Sequence, residues 1–205
     1  MLNNPAARKV IKGAVEPPAR LLLKWHVSPD AVTIAGTIGV VVASMILLPQ
    51  GMFIAAVIVI TVLALSDLLD GTMARLAGTS GPWGNFLDAT LDRISDGAVF
   101  GGLALYGSLH DQPWLTAGAI VALVTGQVTS YSKARAEAVG ATANVGIAER
   151  AERLILAGIA VLLAGFGVPY VLPIVLWVIG ILGVVTITQR IITVRKQLRP
   201  SSPRD

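Results

Sequence analysis

Apolar residues fall into six long blocks, at about 31–48, 52–75, 86–109, 114–139, 153–166 and 170–193. A bilayer core of roughly 30 Å is crossed by about 20 mainly apolar residues in a helix. The pattern therefore predicts six transmembrane helices. The first block stops at Pro49, Gln50 and Gly51, and the second is unbroken to Leu65 and then keeps helical spacing to Arg75. Pro113, Pro169 and Pro173 stand at or near helix starts, where a missing N–H costs little. Ahead of the first block, Val10, Ile11, Val15 and Leu21 to Leu23 alternate with Arg8, Lys9, Lys12, Arg20 and Lys24. No stretch there is long enough to span. It predicts an amphipathic helix lying in the headgroup layer, interrupted at Pro17 and Pro18. It has no apolar run followed by a small-residue cleavage site, so it does not read as a signal peptide. The expected layout is an interfacial helix over 1–30, a six-helix transmembrane catalytic domain over 31–195 and a cytoplasmic tail over 196–205.

Composition agrees. Of 205 residues, 54% are hydrophobic and only 14% charged, against about 25% charged in soluble domains. That excludes an ordinary soluble enzyme and a disordered tail. The absence of cysteine excludes a disulfide scaffold, thiolate metal sites and cysteine nucleophiles.

The net charge of +4 and pI near 9.8 would fit nucleic-acid binding, but the positions of the charges argue otherwise. Of 16 Lys and Arg, five precede the first span. Arg75 and Arg93 flank the turn between spans two and three. Lys133, Arg135, Arg150 and Arg153 flank the connection between spans four and five, and Arg190, Arg195, Lys196, Arg199 and Arg204 close the chain. The other turns carry none. All sixteen thus lie toward one face, which the positive-inside rule makes cytoplasmic, with both termini on that side. The basicity is topology, with no nucleic acid implied. Trp114, Tyr106 and Tyr170 mark the outer boundary, and Trp25, Trp83 and Tyr131 the inner one. Trp177 falls inside a span and reads as packing.

Acidic residues in membrane spans are costly and mark function. Asp67 and Asp70 are three apart, while Asp88, Asp92 and Asp96 repeat at four. On helices each set shares a face. A short turn joins the two helices, so the sets can meet at the cytoplasmic end. Such a cluster must bind protons or a cation, and oxygen ligands favour Mg²⁺, Mn²⁺ or Ca²⁺. Pairing with Arg75 and Arg93 alone leaves the acids in excess. Asp96 is either a support for the others or a partner of Arg93.

Asp67, Asp70, Gly71, Ala74 and Arg75, followed at fixed spacing by Gly84, Asp88 and Asp92, resemble the signature D-x2-D-G-x2-A-R-x8-G-x3-D-x3-D of the CDP-alcohol phosphotransferases. All eight positions are present. The resemblance implies an Mg²⁺-dependent enzyme in which an alcohol hydroxyl attacks the β-phosphorus of a CDP-activated lipid and CMP leaves. It implies that Asp67, Asp70, Asp88 and Asp92 hold the metal, two Mg²⁺ with Mn²⁺ as a substitute, and that Asp92 is also the general base. The same resemblance implies that Asp30, Ala31, Val32, Thr33, Asp67, Asp70, Gly71, Ala74, Arg75, Ser80 and Gly81 bind the CDP-lipid. Ser28, Pro29 and Asp30 also read as an ordinary helix cap, and Gly71 and Ala74 as plain helix packing.

A second group suggests the acceptor. Tyr131, Lys133, Arg135 and Glu137 end the fourth span; Glu149, Arg150, Glu152, Arg153 and Leu154 begin the fifth; Gln189 and Arg190 lie near the end of the sixth. Converging Lys and Arg suit a phosphate monoester. These stretches, with the run from Asp88 to Phe100, are similar to the actinobacterial branch of the family that makes phosphatidylinositol phosphate. The likeness implies CDP-diacylglycerol and 1D-myo-inositol 3-phosphate as substrates, Lys133, Arg153 and Arg190 as the acceptor-phosphate pocket, and a homodimer in the plasma membrane with its active site on the cytoplasmic face. Ala151 departs from the proline expected there and is expected to loosen the turn beside Arg153. Gly97 and Gly101, four apart, allow close helix packing. Two other readings stand beside this one: glycerol-3-phosphate as acceptor, giving phosphatidylglycerophosphate, and a cation transporter using the aspartates as ion sites.

Overall fold

The computed structural model describes the backbone of residues 5–199 and the side chains of 15–199. Residues 1–4 and 200–205, with Arg204, lie outside the described residues, as do the side chains of Arg8, Lys9 and Lys12. Among the described residues the regular structure is entirely helical: α1 (Pro5–Lys24), α2 (Pro29–Leu47), α3 (Phe53–Ala64), α4 (Ser66–Ala77), α5 (Pro82–Leu109), α6 (Pro113–Ala138), α7 (Arg150–Gly165) and α8 (Val171–Leu198). Three stretches are long and apolar enough to cross a membrane by length and composition: Pro29–Leu47, Phe53–Ala77 and Val171–Leu198. By comparison, α5 carries Asp88, Asp92, Arg93 and Asp96 along its length, and α7 has 16 residues.

The chain forms two compact units, Met1–Ser44 with Ile58–Ala98, and Met45–Val57 with Val99–Asp205. In the first unit α1 packs on α4, with Ala19 wholly buried. The helix α1 runs unbroken through Pro17 and Pro18, contrary to the interruption expected there. Two prolines remove two N–H donors, but Glu16 and Arg20 form an ion pair across them at 2.5 Å, and burial of Ala19 holds the following turn. The helix expected over 52–75 is divided at Leu65. Ser66 Oγ donates to the Leu63 carbonyl at 2.6 Å, and such back-bonding competes with the helical ladder and bends it. A Cβ on Gly36 would collide with Ser66 Oγ, so α2 approaches this joint at backbone distance. The joint gives α4 its own N-terminus, with Asp67 in its first turn, where a negative charge is favoured by the helix dipole.

In the second unit α6 packs along α8, and α7 packs on α8 as well. Small residues set the spacing. A Cβ on Gly180 would meet Val121 at 2.7 Å, and one on Gly183 would meet Thr125 Oγ1 at 2.6 Å. This close approach is how helices associate where lipid removes the hydrophobic drive between them. Thr125 and Thr186 are buried and donate back to their own helices, to Val121 and Leu182. Trp177 packs on Trp114, its indole donating to the Trp114 carbonyl at 3.1 Å. Many large apolar side chains point outward: Ile34, Ile38 and Val42 on α2, Ile155 and Ile159 on α7, and Ile174 and Ile181 on α8 are all exposed. Small residues inside and large aliphatic ones outside suit lipid as the solvent.

Candidate functional site

The acidic site is built on α4 and α5. Carboxylate oxygens of Asp67, Asp88 and Asp92 lie within 4.8 Å of one another. Asp67 and Asp88 are exposed and Asp92 is half-buried. Three carboxylates at that range repel strongly unless a cation or proton stands among them. Asp70 is outside that set. It is buried, stands beside Thr33 of α2 and within electrostatic reach of Asp67 and Asp88. Its Oδ2 has no hydrogen-bond partner among the described residues. Three converging oxygens, hard in character, with one buried orphan oxygen nearby, fit a divalent cation such as Mg²⁺ or Mn²⁺.

Arg93 faces Asp96 at 3.5 Å and Asp92 at 3.9 Å. Asp96 is buried and serves as a partner of Arg93, one of the two roles expected for it. Arg75, exposed at the end of α4, donates to Thr72 Oγ1 at 2.9 Å.

The surroundings of the acids are open. A Cβ on Gly71 would meet nothing within 4 Å, and the same holds for Gly84. Packing therefore does not explain Gly71. Ala74 is half-buried on the same helix. Helix α4 ends at Gly78, with a φ of 67°, and Thr79 N–H closes on the Ala74 carbonyl at 3.0 Å. Ser80 and Gly81 follow, both exposed. At the start of α2 the Ser28 hydroxyl accepts the Ala31 N–H at 3.2 Å, so the cap is Ser28. Asp30 is engaged otherwise: the Trp83 indole donates to its Oδ2 at 2.8 Å. Trp83 also lies against Phe86. The pattern had marked Trp83 only as a boundary aromatic, and nothing in the sequence links residues 53 positions apart. Thr33 donates to the Pro29 carbonyl at 3.2 Å, Ala31 is exposed and Val32 half-buried.

The basic residues belong to the second unit and are satisfied differently. Arg153 is 2% exposed, with NH1 donating to the Ala148 carbonyl at 3.2 Å and NH2 to Gly126 at 3.5 Å. Arg190 is 3% exposed and donates from Nε to Val145 at 2.9 Å and from NH1 to Thr129 at 2.5 Å. Its NH2 stands 3.8 Å from Glu149. Lys133 is half-buried on α6. Glu149 caps α7, and its carbonyl accepts the Arg153 N–H at 3.2 Å. The first turn of α7 therefore closes with Ala151 in place, without the loosening expected from the missing proline.

Residues 26–189 match the family model for CDP-alcohol phosphatidyltransferase. The chain belongs to the CDP-alcohol phosphatidyltransferase family. Its aspartates are thus those of a family of transferases. It is 46% identical over 202 residues to a phosphatidylinositol phosphate synthase of Streptomyces avermitilis, covering 95% of this chain and 83% of that one. Similarity to the synthase of the same name from Cutibacterium acnes is 43% over 192 residues, covering 89% and 92% of the two chains. Among solved structures, the phosphatidylinositol phosphate synthase of Mycobacterium tuberculosis with CDP-DAG bound superposes with a TM-score of 0.84 at 41% identity, covering 92% of this chain and 96% of that one. The same protein in complex with manganese and citrate gives a TM-score of 0.84 over 92% and 91%. The chain is thus a transferase of this family, similar over most of its length to phosphatidylinositol phosphate synthases from actinobacteria.

Proposed function

We propose that this chain transfers the phosphatidyl group of CDP-diacylglycerol to the hydroxyl of 1D-myo-inositol 3-phosphate, releasing CMP. The observation that carries the reading is the meeting of Asp67, Asp88 and Asp92 within 4.8 Å beside the open face of Gly71. Asp67, Asp70, Asp88 and Asp92 would hold Mg²⁺, two ions with Mn²⁺ as a substitute. Bound there, the cation supplies charge neutralisation for the pyrophosphate and the departing CMP. The bare face of Gly71, with Ala74 a turn later, lets the nucleotide approach the backbone of α4. Arg75, Ser80 and Gly81 line the same end and offer donors to phosphate. Asp30, Ala31, Val32 and Thr33 meet the cytidine part.

The acceptor oxygen forms a bond to the β-phosphorus as the bond from that phosphorus to the CMP oxygen breaks. Asp92 takes the hydroxyl proton. Arg93, 3.5 Å from Asp96 and 3.9 Å from Asp92, places positive charge beside the Asp92 carboxylate. Lys133, Arg153 and Arg190 gather positive charge for the acceptor phosphate.

The reading includes six transmembrane helices after an interfacial helix, with residues 1–30, 31–195 and 196–205 as interfacial segment, catalytic domain and tail. Both termini and the active site face the cytoplasm at the plasma membrane. The enzyme works as a homodimer. An acceptor panel tests the substrate: purified protein, CDP-diacylglycerol and Mg²⁺, with CMP release measured on inositol phosphate, free inositol, glycerol-3-phosphate and serine. Inositol phosphate is expected to turn over at least about tenfold faster than the others. Faster turnover of glycerol-3-phosphate would overturn the acceptor. No turnover on any, with cation flux in liposomes, would overturn the enzyme.

A further inference from the structure

The connection between α6 and α7, residues 139–149, has no helix of its own, yet it is held at three places by one face of α8. Thr186, Arg190 and Gln197 lie within about 40° of one another around the α8 axis at 3.6 residues per turn. Each grips the connection farther back along the chain. Thr186 Oγ1 accepts the Ala148 N–H at 3.3 Å. Arg190 Nε donates to the Val145 carbonyl at 2.9 Å. Gln197 pairs with both backbone groups of Thr142, accepting its N–H at 2.9 Å and donating to its carbonyl at 2.8 Å. The connection therefore runs antiparallel to α8 as a strap with three pegs.

Packing agrees with the pegs. Ala141 and Ala143 are buried with Ala136, and Val194 of α8 packs on them, while Thr142 between them is exposed. Gly146 has a φ of 148°, and a Cβ there would collide with Thr186 Cγ2. Only glycine lets the strap touch α8 at that point.

Two of the pegs sit at or next to the residues read above as the acceptor pocket. Arg190 is itself a peg, and Ala148, held by Thr186, also accepts Arg153 NH1 at 3.2 Å. Gln197 stands apart from the pocket, nearly two turns beyond Arg190. We propose that Gln197 is a positioning residue: by pairing with Thr142 it fixes the free end of the strap, and so sets where Arg190, Arg153 and Glu149 stand for the acceptor phosphate. This rests on the phosphorylated-acceptor reading. Gln197 makes no contact with the aspartates and has no part in the bond-breaking step.

The test uses the full chain in detergent. Gln197→Ala removes both bonds, and Gln197→Glu keeps the acceptor and loses the donor. In Gln197→Ala, hydrogen exchange across 141–148 is expected to rise about tenfold, the size of two ordinary hydrogen bonds. KM for inositol phosphate is expected to rise roughly three- to tenfold, with kcat and KM for CDP-diacylglycerol within about twofold, because only binding of the acceptor is weakened. Gln197→Glu should fall between the two. A merely structural role would raise exchange and leave the split between the two KM values unchanged, which overturns the proposal. Unchanged exchange overturns it as well. Wild-type protein that does not turn over inositol phosphate overturns the functional reading together with the strap's role, and that result appears before any variant is made.

Discussion

The aspartates on α4 and α5 and the arginines on α7 and α8 are both charged groups in an apolar protein, but they are satisfied in opposite ways. Asp67, Asp88 and Asp92 crowd together with two of the three exposed, and buried Asp70 keeps an oxygen without a hydrogen bond among the described residues. Arg153 and Arg190 are buried; NH1 and NH2 of Arg153 donate to the Ala148 and Gly126 carbonyls, and Nε and NH1 of Arg190 to those of Val145 and Thr129. Three carboxylates that close together suit a shared cation. The arginines are engaged by backbone carbonyls of their own unit, so they shape that region and, on the proposed reading, also charge the acceptor side. Mutation should therefore separate the two regions: losses among the acids act on chemistry, and losses among the arginines act on folding and acceptor binding together.

The largest effect is expected at Asp92. Asp92→Asn should lower CMP release by about a thousandfold, the scale of a lost general base, and leave CDP-lipid binding in place. Thermal stability should hold or rise, since one repelling charge is gone. Near-normal turnover would remove Asp92 from the base role. Arg190→Ala comes next. It strands the Val145 carbonyl and removes the bond to Thr129, and should cost roughly 1 to 3 kcal/mol in unfolding experiments, with a rise in KM for the acceptor. If stability is untouched while the acceptor KM rises, the arginine is a ligand only and the contrast between the regions fails.

Gly71→Leu sharpens the other side. Nothing packs against Gly71 and leucine is the better helix former, so stability should rise by about 0.5 to 1 kcal/mol. KM for CDP-diacylglycerol should rise roughly tenfold as a binding contact is blocked. A stable variant with unchanged KM would return Gly71 to simple helix filler. Trp83→Phe is the smallest. It removes the 2.8 Å bond to Asp30 and should weaken CDP-lipid binding by about two- to fivefold at constant kcat.

These contrasts also show which features were readable in the chain. The helices were, because apolar blocks between proline and glycine breaks leave few alternatives in lipid; α5 begins at Pro82 and α8 ends at Leu198, each about a turn beyond the expected bounds of 86 and 193. Steps of three and four placed the aspartates on shared faces, and the convergence of Asp67, Asp88 and Asp92 follows from two helices joined by a tight turn. The separate course of Asp70 toward Thr33 was not readable, because it depends on how closely α2 comes to α4. The break at Leu65 was hidden as well, since Ser66 looks like any small polar residue until its hydroxyl takes the Leu63 carbonyl. Pro17 and Pro18 suggested a stop that tertiary packing on α4 and the Glu16–Arg20 pair override. The roles of Arg153, Arg190 and Gln197 depend on bare carbonyls in 139–149, and a sequence does not display unmet carbonyls.

On the proposed reading the acids, and not the arginines, hold the metal. Electron paramagnetic resonance of Mn²⁺ titrated into wild-type protein, Asp88→Asn and Arg190→Lys tests it most directly. Saturable binding in wild type and in Arg190→Lys, weakened at least about tenfold in Asp88→Asn, is the predicted result. Equal Mn²⁺ binding by wild type and Asp88→Asn would contradict it.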